Sequence, residues 1–134
     1  IKLNILGEKN FNEKLNNLLK KSEKKTLRNT KLQINLALNY GSKTELINAF
    51  KKIKKNGQKI TEKNISMHLQ TTNIPDPEIL IRTGNMKRLS NFLLWQIAYS
   101  EIFFEKKLWP EFSEKDFIKI INRYRKIKRN FGNI

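Results

Sequence analysis

The chain has 134 residues, which suits one modest domain, and its apolar fraction of 38% is enough to build a core. The absence of cysteine excludes disulfides and thiolate metal sites, and a single histidine, His68, argues against a histidine-based metal cage. No apolar run approaches the length of a membrane span, and the first residues show no signal-peptide pattern.

The net charge is +16, from 28 basic and 12 acidic residues. A clustered charge of this size would indicate a nucleic-acid-binding module, because Lys and Arg neutralise phosphates. The lysines are instead spread through every predicted helix, which favours a solvated surface over one phosphate-binding patch. The same charge would also favour anionic lipid surfaces or diphosphate substrates.

Predicted strands and helices alternate through the first half of the chain. Residues 1–7 alternate apolar and polar side chains and predict a strand, and residues 10–28 predict an amphipathic helix. Residues 32–40 predict a second strand, which Gly41 ends. Helices are predicted from residue 42 to about residue 55, where Gly57 follows, and over residues 61–69.

The predicted helices carry expected caps and inward-facing stripes. Ser42 and Thr61 stand where a side-chain oxygen can cap the first turn of a helix. Spacing of three and four residues predicts which apolar side chains face the core. These are Phe11, Leu15, Leu18 and Leu19 in the first helix, and Leu46, Ile47, Phe50 and Ile53 in the second.

The second half opens on a connector over residues 74–77, where two prolines forbid a helix. Residues 78–82 predict a strand covered on both faces, and residues 101–104 predict another. Helices are predicted over residues 90–100, capped by Ser90, and from Ser113 to about residue 128. The buried stripe of the last helix is expected to be Phe117, Ile118, Ile120, Ile121, Tyr124 and Ile127.

The alternation of strands and helices predicts an α/β fold, with a parallel sheet and helices on both faces. No internal repeat, low-complexity linker or domain boundary is evident in the sequence. The whole chain is therefore expected to belong to a single domain.

One stretch carries candidate chemistry. Residues 79–95 read I-L-I-R-T-G-N-M-K-R-L-S-N-F-L-L-W, an apolar strand followed by a polar loop and a predicted helix. α/β proteins build anion sites in this way, and the guanidinium forks of Arg82 and Arg88 match phosphate oxygens. Ser90 could hold the same anion or only cap the helix. Glu101 lies in an apolar segment, where a carboxylate needs a partner, a hydrogen bond or a metal.

Four further patterns occur in order along the chain: N-Y-G-S-K at 39–43, I-P-D-P-E-I-L-I-R-T at 74–83, R-L-S-N-F-L-L-W-Q-I-A-Y-S-E at 88–101 and L-W-P-E-F at 108–112. Together they resemble the cis-prenyltransferase family, and most closely its bacterial undecaprenyl diphosphate synthases. The resemblance runs over essentially the whole chain and implies a partial cis-prenyltransferase fold.

The resemblance implies an enzyme that condenses isopentenyl diphosphate repeatedly onto an allylic diphosphate, such as farnesyl diphosphate, to make a long cis-polyprenyl diphosphate. It implies that Arg82, Arg88 and Ser90 hold isopentenyl diphosphate and that Glu101 helps to bind Mg²⁺. It also implies a homodimer and a cytoplasmic location, with peripheral membrane contact for product release. The dispersed lysines predict no specific nucleic-acid partner.

The chain departs from the family pattern in several places. The family's amino-terminal histidine–aspartate–glycine–asparagine motif, with the catalytic aspartate, does not occur, so the chain is expected to be a carboxyl-terminal portion without turnover by itself. Asn85-Met86 replaces glycine–glutamate, Ser42-Lys43 replaces glycine–arginine, and Asn130 follows Arg129 where the family often has arginine. A non-catalytic subunit of a heteromeric prenyltransferase is the alternative, and a basic nucleic-acid-binding module is a further one.

Overall fold

A computed structural model describes residues 1–128, so Arg129 and Asn130 lie outside the described residues. The chain divides into two compact units, Ile1–Pro75 and Asp76–Ile134, with the boundary inside the predicted proline-containing connector. The expectation that both units belong to one domain stays a prediction.

The first unit contains a pair of parallel strands joined through a helix. Strand β1 (Lys2–Leu6) leads into helix α1 (Glu13–Thr26), and strand β2 (Gln33–Ala37) leads into helix α2 (Ser42–Lys55) and helix α3 (Glu62–His68). Strands β1 and β2 pair residue for residue along their whole lengths. Each predicted element of this half is present. Helix α2 has the predicted bounds, and the ends of the other elements lie one to three residues inside the predicted ones.

The helix ends follow local chemistry. Thr61 caps α3, as predicted, by accepting a hydrogen bond from the Asn64 backbone N–H at 3.1 Å. Gly57 ends α2 with a φ of 64°, and its N–H bonds to the Lys54 carbonyl, which is the pairing of a Schellman motif. The prediction that Ser42 caps α2 is wrong, because Gly41 is the N-cap and Ser42 is already helical and buried.

The buried stripe of α2 differs from the predicted one. Its fully buried residues are spaced by three and four and consist of Ser42, Glu45, Ala49 and Ile53. Since successive helical residues turn by about 100°, Ile47 lies about 120° from Ile53 and Phe50 about 60° from it. Ile47 and Phe50 are accordingly exposed, and Leu18 on α1 is exposed as well, so these three inward predictions are wrong.

The second unit contains another parallel pair. Strand β3 (Ile79–Arg82) and strand β4 (Glu101–Phe104) pair in register, and a short 3₁₀ helix (Trp109–Glu111) and helix α4 (Glu114–Tyr124) follow. The predicted α/β class with parallel strands is confirmed. Strand β3 is half-buried along its length, so the prediction that both of its faces are covered is wrong. No helix within residues 1–128 is long and apolar enough to cross a membrane.

The helix predicted over residues 90–100 is wrong, because this segment forms successive turns. Ser90, Asn91 and Leu93 all have positive φ, which breaks a run of right-handed helical residues. The hydrogen bonds here are those of separate turns, such as Phe92 N–H to the Leu89 carbonyl at 3.0 Å. Ser90 therefore caps no helix.

Ser113 caps helix α4, as the sequence predicts, although the helix ends at Tyr124 and not near residue 128. The cap is reciprocal. The backbone N–H of Ser113 donates to the Asp116 carboxylate at 2.9 Å, and the Ser113 hydroxyl accepts from the Asp116 N–H at 3.4 Å. The Lys107 ammonium also reaches this carboxylate, at 2.7 Å. Of the predicted stripe, Ile120 is fully buried, whereas Phe117, Ile118 and Ile127 are exposed and were wrongly placed in the core.

Ile53 is the clearest test of the first unit's core. Its side chain is 0% exposed, so Ile53→Ala removes buried methyl and methylene groups and leaves a cavity. We expect a loss of about 2–5 kcal/mol in the free energy of unfolding, measured by denaturant unfolding. Ile60, 69% exposed, supplies the control. An Ile60→Ala change should stay within about 0.5 kcal/mol, and equal losses for the two variants would contradict this core.

Asp116 should make stability depend on pH. Hydrogen bonds from Lys107 and then Ser113 hold the pKa of Asp116 well below its ordinary value of 3.8. The contribution of Asp116 to the free energy of unfolding is therefore complete well above pH 3.8. It declines as pH falls below this value, because the carboxylate of the unfolded chain takes up a proton first. We expect the Tm advantage of the parent chain over Asp116→Asn to shrink between about pH 5 and pH 2. A Tm advantage that is the same at pH 5 and at pH 2 would contradict this prediction.

Candidate functional site

The arginines lie on the connection between β3 and β4. Arg82 is the last residue of β3 and pairs with Phe104 at the end of β4. The ladder continues by one bond, from the Glu105 N–H to the Arg82 carbonyl at 2.8 Å. Since β3 and β4 are parallel, Arg82 stands at the carboxyl edge of the pair, where open α/β sheets bind ligands.

The segment after Arg82, residues 83–88, is here called the arginine loop. It turns through Gly84 and Asn85, with φ angles of 86° and 59°, a region that glycine and asparagine tolerate best. The Gly84 N–H donates to the Lys107 carbonyl at 2.8 Å, and the Asn85 N–H donates to the Glu105 carbonyl at 3.0 Å. The loop is therefore fixed by backbone bonds to the segment that follows β4.

The arginine loop orients the Arg82 side chain. Its Nε donates to the Met86 carbonyl at 3.1 Å, and the two terminal nitrogens of the guanidinium have no hydrogen-bond partner within residues 1–128. The Met86 contact uses the backbone, so it does not depend on a carboxylate at this position. Within residues 1–128, no carboxylate lies within ion-pair distance of Arg82 or Arg88.

A cavity of about 310 Å³ lies beside Arg82. Thr83 adds a hydroxyl to its wall, while Leu89, Phe92 and the β3 side chains add apolar surface. A site of this kind suits an amphiphile with an anionic group and a short hydrocarbon.

Arg88 and Ser90 lie further along the same connection, and both are exposed. Ser90 has a φ of 49° and belongs to the turn that replaces the predicted helix. The structure thus brings the three predicted anion-binding residues onto one connection, with Arg82 alone lining the cavity. Their binding roles stay predictions.

Glu101 is not beside Arg82. It is the first residue of β4 and pairs with Ile79, at the amino edge of the strand pair. Three residue steps separate it from the level of Arg82, or about 10 Å along the strands. Residues 1–128 contain no group of three or more His, Cys, Asp or Glu side chains that could hold a metal, so Glu101 fits only an ion bound largely by water and substrate oxygens.

A second cavity, of about 240 Å³, lies at the carboxyl edge of β1 and β2. Its wall includes Glu45, which is 3% exposed and accepts hydrogen bonds from the Tyr40 hydroxyl at 2.5 Å and the Gln70 N–H at 2.7 Å. The Gln70 side chain in turn accepts from the Gly7 N–H at 2.6 Å.

Gly7 has a φ of 105°, and a Cβ at this position would lie 2.0 Å from the Leu38 carbonyl oxygen. The sequence pattern placed Tyr40 at a strand end but gave Glu45 no role, because a carboxylate on a lysine-rich helix reads as a surface residue. The helical spacing of Glu45 with Ala49 and Ile53 was the one available signal.

The chain has relatives among known proteins. Residues 1–132 match the Prenyltransf family, described as undecaprenyl diphosphate synthase. Over the whole length of this chain, it is 44% identical to the ditrans,polycis-undecaprenyl-diphosphate synthase of Buchnera aphidicola and 43% identical to an isoprenyl transferase of Fusobacterium nucleatum. It also matches the crystal structure of a probable undecaprenyl diphosphate synthase from Campylobacter jejuni, with a TM-score of 0.91 and 34% identity over 98% of the chain.

The chain accounts for part of each of these proteins. It spans 57% of the Buchnera protein and 59% of the Fusobacterium protein. It covers 63% of the Campylobacter structure. On the family match and on the identity to both relatives, the chain belongs to the cis-prenyltransferases of the undecaprenyl diphosphate synthase type.

Proposed function

We propose that this chain supplies the isopentenyl diphosphate site of an enzyme that makes a long-chain cis-polyprenyl diphosphate. The observation that carries the proposal is Arg82 at the carboxyl edge of β3, with terminal nitrogens that no group in the described part of the chain binds and an apolar wall beside it. Family membership and the shared motifs support the choice of substrate. The allylic partner is proposed to be farnesyl diphosphate, which the name of the Buchnera relative specifies for that protein.

In the proposed reaction, C4 of isopentenyl diphosphate forms a carbon–carbon bond with C1 of the allylic diphosphate. The allylic C1–O bond breaks, inorganic diphosphate leaves, and C2 of the isopentenyl unit loses a proton. Arg82, Arg88 and Ser90 would bind the diphosphate of the isopentenyl substrate and orient its C4. Such positioning contributes strongly to the rate, because the two reactants are held at the correct approach.

We propose Mg²⁺ as the cofactor, with Glu101 as this chain's carboxylate ligand. Mg²⁺ takes oxygen ligands and is usually bound by one or two carboxylates together with water and substrate phosphates. When bound, it would neutralise diphosphate charge. Because Glu101 is at the opposite edge of the strand pair from Arg82, the remaining ligands would come from other groups than the arginine loop.

The surrounding assembly is also a proposal. The chain would act as the carboxyl-terminal portion of a single-domain enzyme, with the catalytic aspartate supplied by a further segment and with no turnover by the 134 residues alone. We propose a homodimer in the cytoplasm, with peripheral membrane contact when the hydrocarbon product is released.

A transferase assay with farnesyl diphosphate, isopentenyl diphosphate and Mg²⁺ tests this proposal. It compares the 134-residue chain with a polypeptide of the family's full length that contains it. Polyprenyl diphosphate from the longer polypeptide alone would support the proposal. No product from either would reject it and favour a non-catalytic subunit.

In the longer polypeptide, Arg82→Ala and Arg88→Ala should each lower kcat/KM for isopentenyl diphosphate by about tenfold to a hundredfold. Each change removes charged hydrogen-bond donors from the diphosphate. Arg28→Ala is the control, since Arg28 is exposed beyond the end of α1 and far from β3 in sequence. Unchanged kcat/KM in the Arg82→Ala, Arg88→Ala double variant would refute the site assignment.

Glu101→Gln should raise the Mg²⁺ concentration that gives half-maximal activity by about tenfold or more. The amide keeps the size of the side chain but loses the negative charge that attracts the ion. The measurement is a Mg²⁺ titration at saturating substrates, with the exposed Glu62→Gln variant as control. Superimposable titrations for the parent and Glu101→Gln would remove Glu101 from the metal site.

A further inference from the structure

The arginine loop depends on a short segment that follows β4. Residues 105–107, here called the anchor segment, accept both backbone hydrogen bonds that hold the loop's left-handed turn. The carbonyl of Lys107 accepts from Gly84 at 2.8 Å, and the carbonyl of Glu105 accepts from Asn85 at 3.0 Å. Any displacement of the anchor segment therefore moves the turn that follows Arg82.

The side chain of Lys107 ties the anchor segment to α4. Its ammonium donates to both carboxylate oxygens of Asp116, at 2.9 Å and 2.7 Å. The carboxylate is held in turn by the Ser113 backbone N–H at 2.9 Å and by the Ser113 hydroxyl at 2.6 Å. One residue, Lys107, thus links the loop through its carbonyl and the helix cap through its side chain.

The surroundings of this pair suit a positioning role. The Asp116 side chain is 14% exposed, whereas that of Lys107 is 49% exposed. Because the Lys107 side chain is half-exposed, solvent limits what the pair adds to the global stability that Asp116 provides together with Ser113. It acts locally, because within residues 1–128 it is the side-chain hydrogen bonding that joins the anchor segment to α4.

We propose that Lys107 is a positioning residue, which sets the conformation of the arginine loop through its ion pair with Asp116. The inference rests on the proposed function, since it assumes that the loop binds isopentenyl diphosphate. Guanidinium recognition of phosphate depends on direction as well as charge, so a small shift of the loop weakens binding. The effect should fall on substrate binding rather than on the chemical step.

The test measures steady-state kinetics in a polypeptide of the family's full length that contains this chain. Lys107→Met should raise KM for isopentenyl diphosphate by about twofold to fivefold, with kcat changed less than about twofold. Asp116→Asn breaks the same pair from the other side and should raise KM similarly. Lys107→Arg keeps a cation and should restore the parent KM.

Two controls separate positioning from general effects. Lys106→Met removes the same charge from an exposed neighbour and should leave KM unchanged. Raising the KCl concentration should increase KM more in the parent than in Lys107→Met, because salt screens the pair only where it exists.

The possible outcomes separate the positioning role of Lys107 from the proposed function of the chain. Equal KM values for Lys107→Met and Lys106→Met, with Arg82→Ala still impaired, would overturn the role of Lys107 alone. A KM rise that Lys107→Arg fails to reverse would also overturn it. An Arg82→Ala variant with parent kinetics would reject the proposed function itself.

Discussion

The parallel pairing of β3 with β4 is the constraint on which the candidate site depends. Its register puts Arg82 beside Phe104 at one edge and Glu101 beside Ile79 at the other. The same ladder extends past the strands, through the Glu105 N–H, into the bonds that shape the arginine loop. A shift in register would therefore move the guanidinium, the turn and the carboxylate together.

Around this pair, polar groups are fixed mainly by backbone atoms. Arg82 is directed by the Met86 carbonyl, a backbone contact that does not depend on the side chain at position 86. In the first unit the arrangement is different. Glu45 is buried and holds the chain through its carboxylate, which accepts from Tyr40 and Gln70. The two strand pairs thus reach ordered carboxyl edges by different means.

Much of this architecture could be predicted from local sequence. Alternation located β1 and β2, and an unbroken apolar run located β3. The caps at Thr61 and Ser113 and the stop at Gly57 depend on residues within one turn of the helix end. The prediction of a helix over residues 90–100 failed because periodicity cannot show whether a strongly apolar run is a helix or another buried segment. Positive φ at Ser90, Asn91 and Leu93 is set by surroundings that no local pattern reports.

The candidate site also combines features that local sequence predicts with features that depend on distant parts of the chain. The motif located Arg82 at a strand end, but the separation of Glu101 from it follows from strand register, which is a property of the sheet.

The close approach of Gly7 to Leu38 restricts which residue can stand at position 7. Its missing side chain leaves the space that the Leu38 carbonyl oxygen occupies, so two backbones pass where any other residue would hold them apart. Glycine at position 7 is thereby required by the backbone of a residue 31 positions away, whatever side chain position 38 carries.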